Sequence, residues 1–560
     1  MTTLADLIHQ NYSKNPDKTA IILQHAGQDD KPVSYLDLVK GSAQYAQTYA
    51  EAGIQPGEVV ILILQHGEDL VYSFWGAILH GAIPAIMPFL TEKLSPERYR
   101  ADLTALLSVT QPAAIVTYPE FEADIRAALT ADGSVRRVLL TSQLAPRSEP
   151  DFNQLRGLQC KPTDIVLLQH SSGTTGLQKG VALSHQAVLN QLNAYTRAIQ
   201  LTSDDVLVSW LPLYHDMGLI AGFLMPILMG ITLVLQSPFD WVRAPHKLFQ
   251  SVSKYKGTLS WLPNFSYNFC AQKVRERDLE GVDLSSWRVI TNCSEPVKWE
   301  SHQSFFQRFE KYGLRESALN CSYAMAENVF GVTQTPLGTK PVTDEIDRAS
   351  YINERIANPP QDGKPALKMM SSGRALPNTR LLILSEDGKP LPDKVIGEIA
   401  LQSDCMLTGY YHRPDATEKA LRDGWYLTGD YGYTVNGEIF VAGRKKDMII
   451  VGGKNVYPQD LESLAYEVPG IHAGRAVAFG IEDTKAGTEE VVIVAEVDTD
   501  DPEERQRIAD ALRKHITQNS AIALRHAHLV DPKWIVKTSS GKTARSANRE
   551  KFLKEMDMQS

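Results

Sequence analysis

Ile165-Val166-Leu167-Leu168-Gln169-His170-Ser171-Ser172-Gly173-Thr174-Thr175-Gly176-Leu177-Gln178-Lys179-Gly180 begins as a short apolar strand and runs into a loop of glycines and hydroxyls. A helical run starts near Ser184, so strand, loop and helix follow one another as they do in α/β proteins. Three glycines let the backbone bend so that its N–H groups converge on one anion, Ser171, Ser172, Thr174 and Thr175 add hydroxyl donors, and Lys179 adds charge. That is the chemistry of a phosphate cradle. It is not a Walker loop, which needs Gly-Lys-Ser/Thr where Gln178-Lys179-Gly180 stands. A flexible Gly/Ser/Thr connection is the alternative reading.

Outward from this stretch, apolar runs at residues 59–64, 113–117, 138–141, 206–210 and 289–291 read as strands, and 69–80 and 186–199 as helices. The alternation predicts an α/β fold, a largely parallel sheet with helices on its faces. Residues 218–234 carry no charge, but Gly222, Pro226 and Gly230 break them into a buried helix and a strand rather than a membrane span. After Gly443 the pattern restarts: strands at 475–479 and 491–497, and a helix at 503–517 with Ile508, Leu512 and Ile516 at four-residue spacing. The expected division is a large N-terminal region, 1–443, and a small α+β C-terminal domain, 447–560.

The whole chain of 560 residues, 43% apolar and 22% charged, is that of an ordinary globular protein. Its 57 basic and 66 acidic residues leave a net charge of −9, which offers no general cation surface to DNA or RNA. Five scattered cysteines show no metal or redox spacing and read as reduced and mostly buried. The N-terminus has no basic region or long apolar stretch and reads as an amphipathic helix with Leu4, Leu7 and Ile8 on one face. The expectation is a cytoplasmic protein without a transmembrane segment.

A second Gly-Lys-Thr, Gly541-Lys542-Thr543, also fails the Walker template because Val536 stands where glycine is required. Taken in order, the loop at 171–180, Ser322-Tyr323-Ala324-Met325-Ala326-Glu327, Tyr426-Leu427-Thr428-Gly429-Asp430, Gly443-Arg444-Lys445-Lys446-Asp447 and Ser540-Gly541-Lys542 resemble the adenylate-forming superfamily. That superfamily comprises acyl-CoA synthetases, luciferases, peptide-synthetase adenylation domains and fatty acyl-AMP ligases.

The resemblance covers essentially the whole chain and implies a two-step reaction using ATP and Mg²⁺. A carboxylate attacks the α-phosphate, giving an acyl-adenylate and pyrophosphate, and a thiol then takes the acyl group. It implies that Glu327 holds Mg²⁺ and that Ser171, Ser172, Gly173, Thr174, Thr175, Gly176 and Lys179 hold the phosphates. Asp430 would bind the ribose with Arg444 alongside, and Tyr323 would stack on adenine. Ser322, Ala324, Met325, Glu295 and Pro296 would complete the nucleotide site. Lys542 would bridge the attacking carboxylate and the α-phosphate, His215, Asn264 and Tyr267 would line the acyl side, and Lys446 would be the hinge of the C-terminal domain. A carboxylate nucleophile needs no base, so His215 is substrate-lining rather than catalytic.

Pro212-Leu213-Tyr214-His215-Asp216-Met217-Gly218-Leu219, Ala326-Glu327 and Asn455-Val456-Tyr457-Pro458-Gln459-Asp460 are most similar to fatty acyl-AMP ligases, which load a carrier protein instead of coenzyme A. Thr291-Asn292-Cys293-Ser294-Glu295-Pro296 departs from relatives, which usually have Gly-Ala at Cys293 and Ser294. An insertion is expected at about 340–368, with Ile352 and Ile356, four apart, on one side of a helical turn that docks on the main domain; a disordered surface loop is the alternative. The expected partners are a fatty acid and an acyl carrier protein in trans. A coenzyme A ligase and a non-catalytic nucleotide sensor are the alternatives.

Overall fold

The computed structural model describes residues 2–90, 96–145, 151–170, 179–362, 366–451, 454–472, 474–483, 488–520, 522–538 and 542–559. The largest parallel array has the strand order Leu319–Cys321, Val289–Asn292, Leu259–Leu262, Val206–Ser209, Thr232–Gln236, Thr19–Gln24, with Lys31–Ser34 added antiparallel at the edge. A second sheet, Ile83–Ile86, Val59–Ile63, Ala114–Thr117 and Arg137–Leu140, is parallel throughout. Both have the β-branched and aliphatic runs of strands covered on two faces. The helices Tyr35–Glu51 and Glu68–His80 pack closely against each other. A Cβ on Gly76 would meet the Tyr45 Cβ at 2.5 Å and the Ser42 carbonyl oxygen at 2.7 Å, so glycine permits that approach.

Leu4 and Ile8 of the first helix, Leu4–Lys14, are buried as its periodicity requires. Its first N–H bonds His185 Nδ1 at 3.1 Å. Residues 217–229 form a π-helix, Met217–Leu224, continued by the α-helix Met225–Met229. Gly230, at φ 75°, ends it and admits the strand Thr232–Gln236. Pro226 does not break the helix, because it sits at the start of the α-helical part, where its missing N–H costs nothing.

The glycine-rich stretch does not run from strand to helix: a second strand, Gly180–Ser184, pairs antiparallel with Ile165–His170, and only then does Ser184 cap the helix His185–Ala198. The loop between these strands therefore tops a hairpin rather than a helix N-terminus. Between Thr333 and Arg444 the chain builds an antiparallel sheet in the order Thr333–Gln334, Arg374–Ala375, Glu438–Arg444, Trp425–Val435, Gly397–Ser403, Thr379–Leu384. The strand Trp425–Val435, with glycines and an aspartate in its middle, lacks the continuous apolar run by which the parallel strands were recognised.

The stretch expected as an insertion is an antiparallel ribbon, Thr343–Asp347 with Ala366–Met370, and a short helix Arg348–Asn353 capped by Asp347. Ile346, Tyr351 and Ala357 are buried in a cluster with Ile396, Tyr431, Tyr433, Phe440, Ala442 and Tyr457. Ile352 only flanks that cluster, and Ile356, beyond the end of the helix, bridges to Val395. The pair does not form one helical face; Tyr351 carries the dock.

Beyond residue 449 the described residues form apolar clusters of their own. One gathers Leu461, Ile493, Leu512 and Ile516 under the helices Pro458–Ala465 and Pro502–Ser520. The other gathers Val477, Phe479, Val492 and Phe552 between the sheet Ala476–Asp483, Thr488–Glu496, His526–Val530 and the last helix.

Candidate active site

The C-terminal ends of the parallel strands place the site. Cys321 leads into Ser322 and Tyr323, Asn292 into Cys293 and Glu295, Leu262 into Asn264, and Ser209 into Trp210 and His215. In open parallel sheets this edge is where ligands collect. Ser171, Ser172, Gly173, Thr174, Thr175 and Gly176 lie outside the described residues, as do Ser540 and Gly541; Lys179 and Lys542 are described.

Register fixes the first group. The strands Trp425–Val435 and Glu438–Arg444 pair Asp430 with Arg444, whose Nε lies 3.6 Å from Asp430 Oδ1. The Tyr323 hydroxyl donates to Asp430 Oδ2 at 2.6 Å, tying the 322–327 segment to this strand. Burial raises the Asp430 pKa, and Arg444 opposes the rise. The Ser322 hydroxyl is turned inward and donates to the Thr333 carbonyl at 2.7 Å, so this residue gives the site backbone rather than a donor. Ala324 and Met325 stand in a turn closed by the Ala324–Gly331 bridge and the Met325 N–H on Phe330 O at 2.8 Å.

Asp430→Ala should raise the KM for ATP by at least tenfold and leave kcat closer to wild type, since ribose contacts exist before and during reaction. Nucleotide affinity by calorimetry checks this; an unchanged value removes Asp430 from the site.

The second group surrounds Glu327. Tyr410 donates its hydroxyl to Glu327 Oε1 at 2.8 Å and lies 2.9 Å from the Tyr426 hydroxyl, while Lys179 Nζ stands 4.7 Å from the centre of the Tyr410 ring. The charges of Glu327, Arg444 and Lys446 all act on Asp430, and Lys179 acts on Lys446. The two groups are therefore one electrostatic neighbourhood. Sequence reading missed Tyr410, whose Gly-Tyr-Tyr setting carries no spacing signal.

On the acyl side, burial and the nearby Lys542 charge push His215 down to about 3. It is neutral at physiological pH, and its Nε2 is buried without a hydrogen-bond partner among the described residues. Burial raises Asp216, with Lys542 opposing, and drives the Cys293 thiol up to about 12. Cys293 is fully buried and Ser294 turns at φ 70°, its hydroxyl 3.8 Å from Met217 Sδ. Glu295 accepts the Phe265 N–H at 2.9 Å, and Pro296 is exposed. The Lys542 carbonyl accepts from the Thr538 N–H at 2.7 Å and the Lys542 N–H donates to Thr538 Oγ1 at 3.2 Å.

Asn264 and Tyr267 are both buried and bonded to their neighbours. Asn264 binds Ser301, Asn292 and the Lys298 N–H, and Tyr267 stacks on His302 at 4.8 Å with its hydroxyl on Ile290 O. The helix Asn264–Lys273 turns both residues toward the sheet; half-buried Phe265, edge-on to Trp210 and Trp241, faces the other way.

A third set joins the C-terminal part to the rest. Lys298 Nζ donates to Ser463 Oγ and lies 5.9 Å from the Tyr466 ring centre. Arg348 donates to the Asn519 carbonyl, and Tyr351 meets Tyr457 at 5.8 Å between ring centres. Lys446 sits in the 3₁₀ turn Lys445–Asp447, where enclosure and repulsion by Arg444 lower its pKa.

Enclosed in this junction, Asp460 is pushed up to about 7 by burial, against the pull of Lys298 and Arg348. The group is neutral in both states at low pH. Between its unfolded value near 3.8 and about 7 only the unfolded chain is ionised, so stability falls as pH rises, with the full penalty present above 7. Asp460→Asn should therefore raise the Tm by more at pH 8 than at pH 5.5. An equal shift at both pH values would show that the carboxyl is not held neutral.

The AMP-binding enzyme family profile matches residues 8–411. The chain is 30% identical over 535 residues to a putative acyl-CoA synthetase of Caulobacter vibrioides, covering 94% of this chain and 91% of that protein. It is 28% identical over 578 residues to the medium-chain-fatty-acid–[acyl-carrier-protein] ligase JamA of Moorena producens, covering 99% and 95%. A solved structure from work on fatty acyl-adenylate ligases of E. coli and L. pneumophila superposes with a TM-score of 0.90 at 28% identity, covering 100% of this chain and 99% of that one.

Proposed function

The chain belongs to the AMP-binding enzyme family, and on that premise we propose that it is a fatty acyl-AMP ligase: it converts a fatty acid and ATP to acyl-adenylate and pyrophosphate, then passes the acyl group to a carrier-protein thiol. The observation that carries the reading is the single neighbourhood of Asp430, Arg444, Tyr323, Glu327, Lys179 and Lys446. It joins a ribose acceptor to cations suited to a polyphosphate. Lys542 acts on His215 and Asp216, where the acid would enter.

A carboxylate and a triphosphate repel each other, so the barrier falls when fixed cations meet charge as it develops. Lys179 serves the leaving phosphates and Lys542 the α-phosphate and incoming carboxylate, while neutral His215 lines the acid's path without adding charge. Mg²⁺ fits Glu327, a carboxylate held by the Tyr410 hydroxyl near Lys179, since Mg²⁺ commonly takes one or two carboxylates plus substrate phosphates. When bound it supplies charge neutralisation of those phosphates. Five free cysteines and the use of ATP suit a cytoplasmic setting.

Similarity to JamA and the ribbon docked through Tyr351 support the carrier protein as acceptor. The Caulobacter relative's name supports a second reading, an acyl-CoA synthetase. ATP–pyrophosphate exchange with a fatty acid, then mass analysis with coenzyme A or a holo carrier protein, decides between them. Wild type should load the carrier and make little acyl-CoA. Tyr351→Asp, which puts charge into the buried dock, should raise acyl-CoA formation at least severalfold while exchange persists. Acyl-CoA made by wild type as fast as adenylate would establish the second reading.

A further inference from the structure

The segment 407–411 is stitched to two pieces of the site at once. The Thr408 and Tyr411 N–H groups donate to Ala182 O at 2.9 Å and Gly180 O at 2.7 Å, extending the hairpin whose tip is the glycine-rich loop. The Leu407 N–H donates to the main-chain oxygen of Glu327 at 2.8 Å. Gly409–Tyr410 is thus a third strand on the phosphate hairpin, laid beside the carboxylate that suits Mg²⁺.

Side chains repeat the connection. The Tyr410 hydroxyl has one proton, and it lies 2.8 Å from Glu327 Oε1. The Tyr426 hydroxyl, 2.9 Å away, can donate to the Tyr410 oxygen and leave that proton for Glu327. The final torsion of a glutamate is broad and roughly two-fold, so one engaged oxygen fixes the carboxylate plane and leaves Oε2 for a cation. The other side of the contact is the Lys179 ammonium, 4.7 Å from the ring centre, in cation–π range.

We propose that Tyr410 is a positioning residue: its hydroxyl orients Glu327 toward the metal–phosphate end of the nucleotide site and its ring holds Lys179 beside it. The inference rests on the adenylating function proposed above. It assigns a role in binding the metal–nucleotide complex to a residue that touches neither the acid nor the reacting phosphorus.

Calorimetry with αβ-methylene-ATP, which cannot be cleaved between the α and β phosphorus atoms, tests it in the presence of Mg²⁺ and of EDTA. Tyr410→Phe keeps the ring and removes the hydroxyl. The affinity gained on adding Mg²⁺ should shrink about tenfold, the worth of one hydrogen bond to a charged group, while affinity in EDTA stays at the wild-type value. Tyr410→Leu removes the ring as well and should also weaken binding in EDTA severalfold. A Phe variant with the full wild-type Mg²⁺ gain, or one weakened equally in both conditions, overturns the proposal. If the Leu variant fails to fold, the Phe variant alone decides. Failure of the adenylating reading would appear separately, as absence of fatty-acid-dependent pyrophosphate exchange in wild type.

Discussion

Lys542→Ala loses adenylate formation by a hundredfold to a thousandfold, roughly 2.7–4 kcal/mol of barrier, while ATP affinity stays within a few-fold of wild type. The asymmetry follows from where the lysine stands. Its charge reaches His215, Asp216 and Cys293, on the side where the acid enters, whereas Asp430, Arg444 and Tyr323 hold one another elsewhere in the cleft. An interaction that strengthens only as the acid meets phosphorus affects kcat and leaves ground-state binding nearly alone. ATP–pyrophosphate exchange gives the first quantity and calorimetry the second. Exchange within about tenfold of wild type would mean that another group neutralises the forming centre.

Lys446→Pro should separate the two half-reactions. The residue lies in the 3₁₀ turn Lys445–Asp447, whose φ range includes the value that proline imposes, so the pose that presents Lys542 should survive the change. If Lys446 is the hinge of the C-terminal domain, Lys542 would leave for the thiol step through a change in a few backbone torsions there. With φ locked, exchange should remain within several-fold of wild type, while carrier loading falls at least a hundredfold. Chase of preformed acyl-adenylate with holo carrier protein measures the second step directly. Equal loss of both steps would place the hinge elsewhere.

Several parallel strands were legible, Val59–Ile63 most clearly, because burial on both faces demands a continuous apolar run. The antiparallel sheet containing Asp430 was not, since a strand such as Trp425–Val435 carries glycines and an aspartate in its middle and reads as a turn-rich loop. Asp430, Arg444, Glu327 and Lys542 could be named only through the ordered set of motifs that resembles the adenylate-forming superfamily, since each alone is an ordinary charged residue. The surroundings of Asn264 and Tyr267 were not legible, because which side of the helix Asn264–Lys273 faces the sheet depends on packing with Ser301 and His302. Tyr410 and Lys298 act through partners 83 and 165 residues away, separations at which a single sequence carries no pairing information.

The apolar clusters beyond residue 449 share few side chains with the larger body, Tyr457 being a buried exception. Cores connected so sparsely unfold as separate cooperative units, and the smaller one has less buried surface to resist heat. Warming should therefore remove Lys542 from the enzyme before the nucleotide pocket melts, giving two calorimetric transitions and a temperature interval in which ATP still binds but no adenylate forms. A bound adenylate, held by both parts, would draw those transitions together, so the reaction's own intermediate becomes the enzyme's thermal protectant.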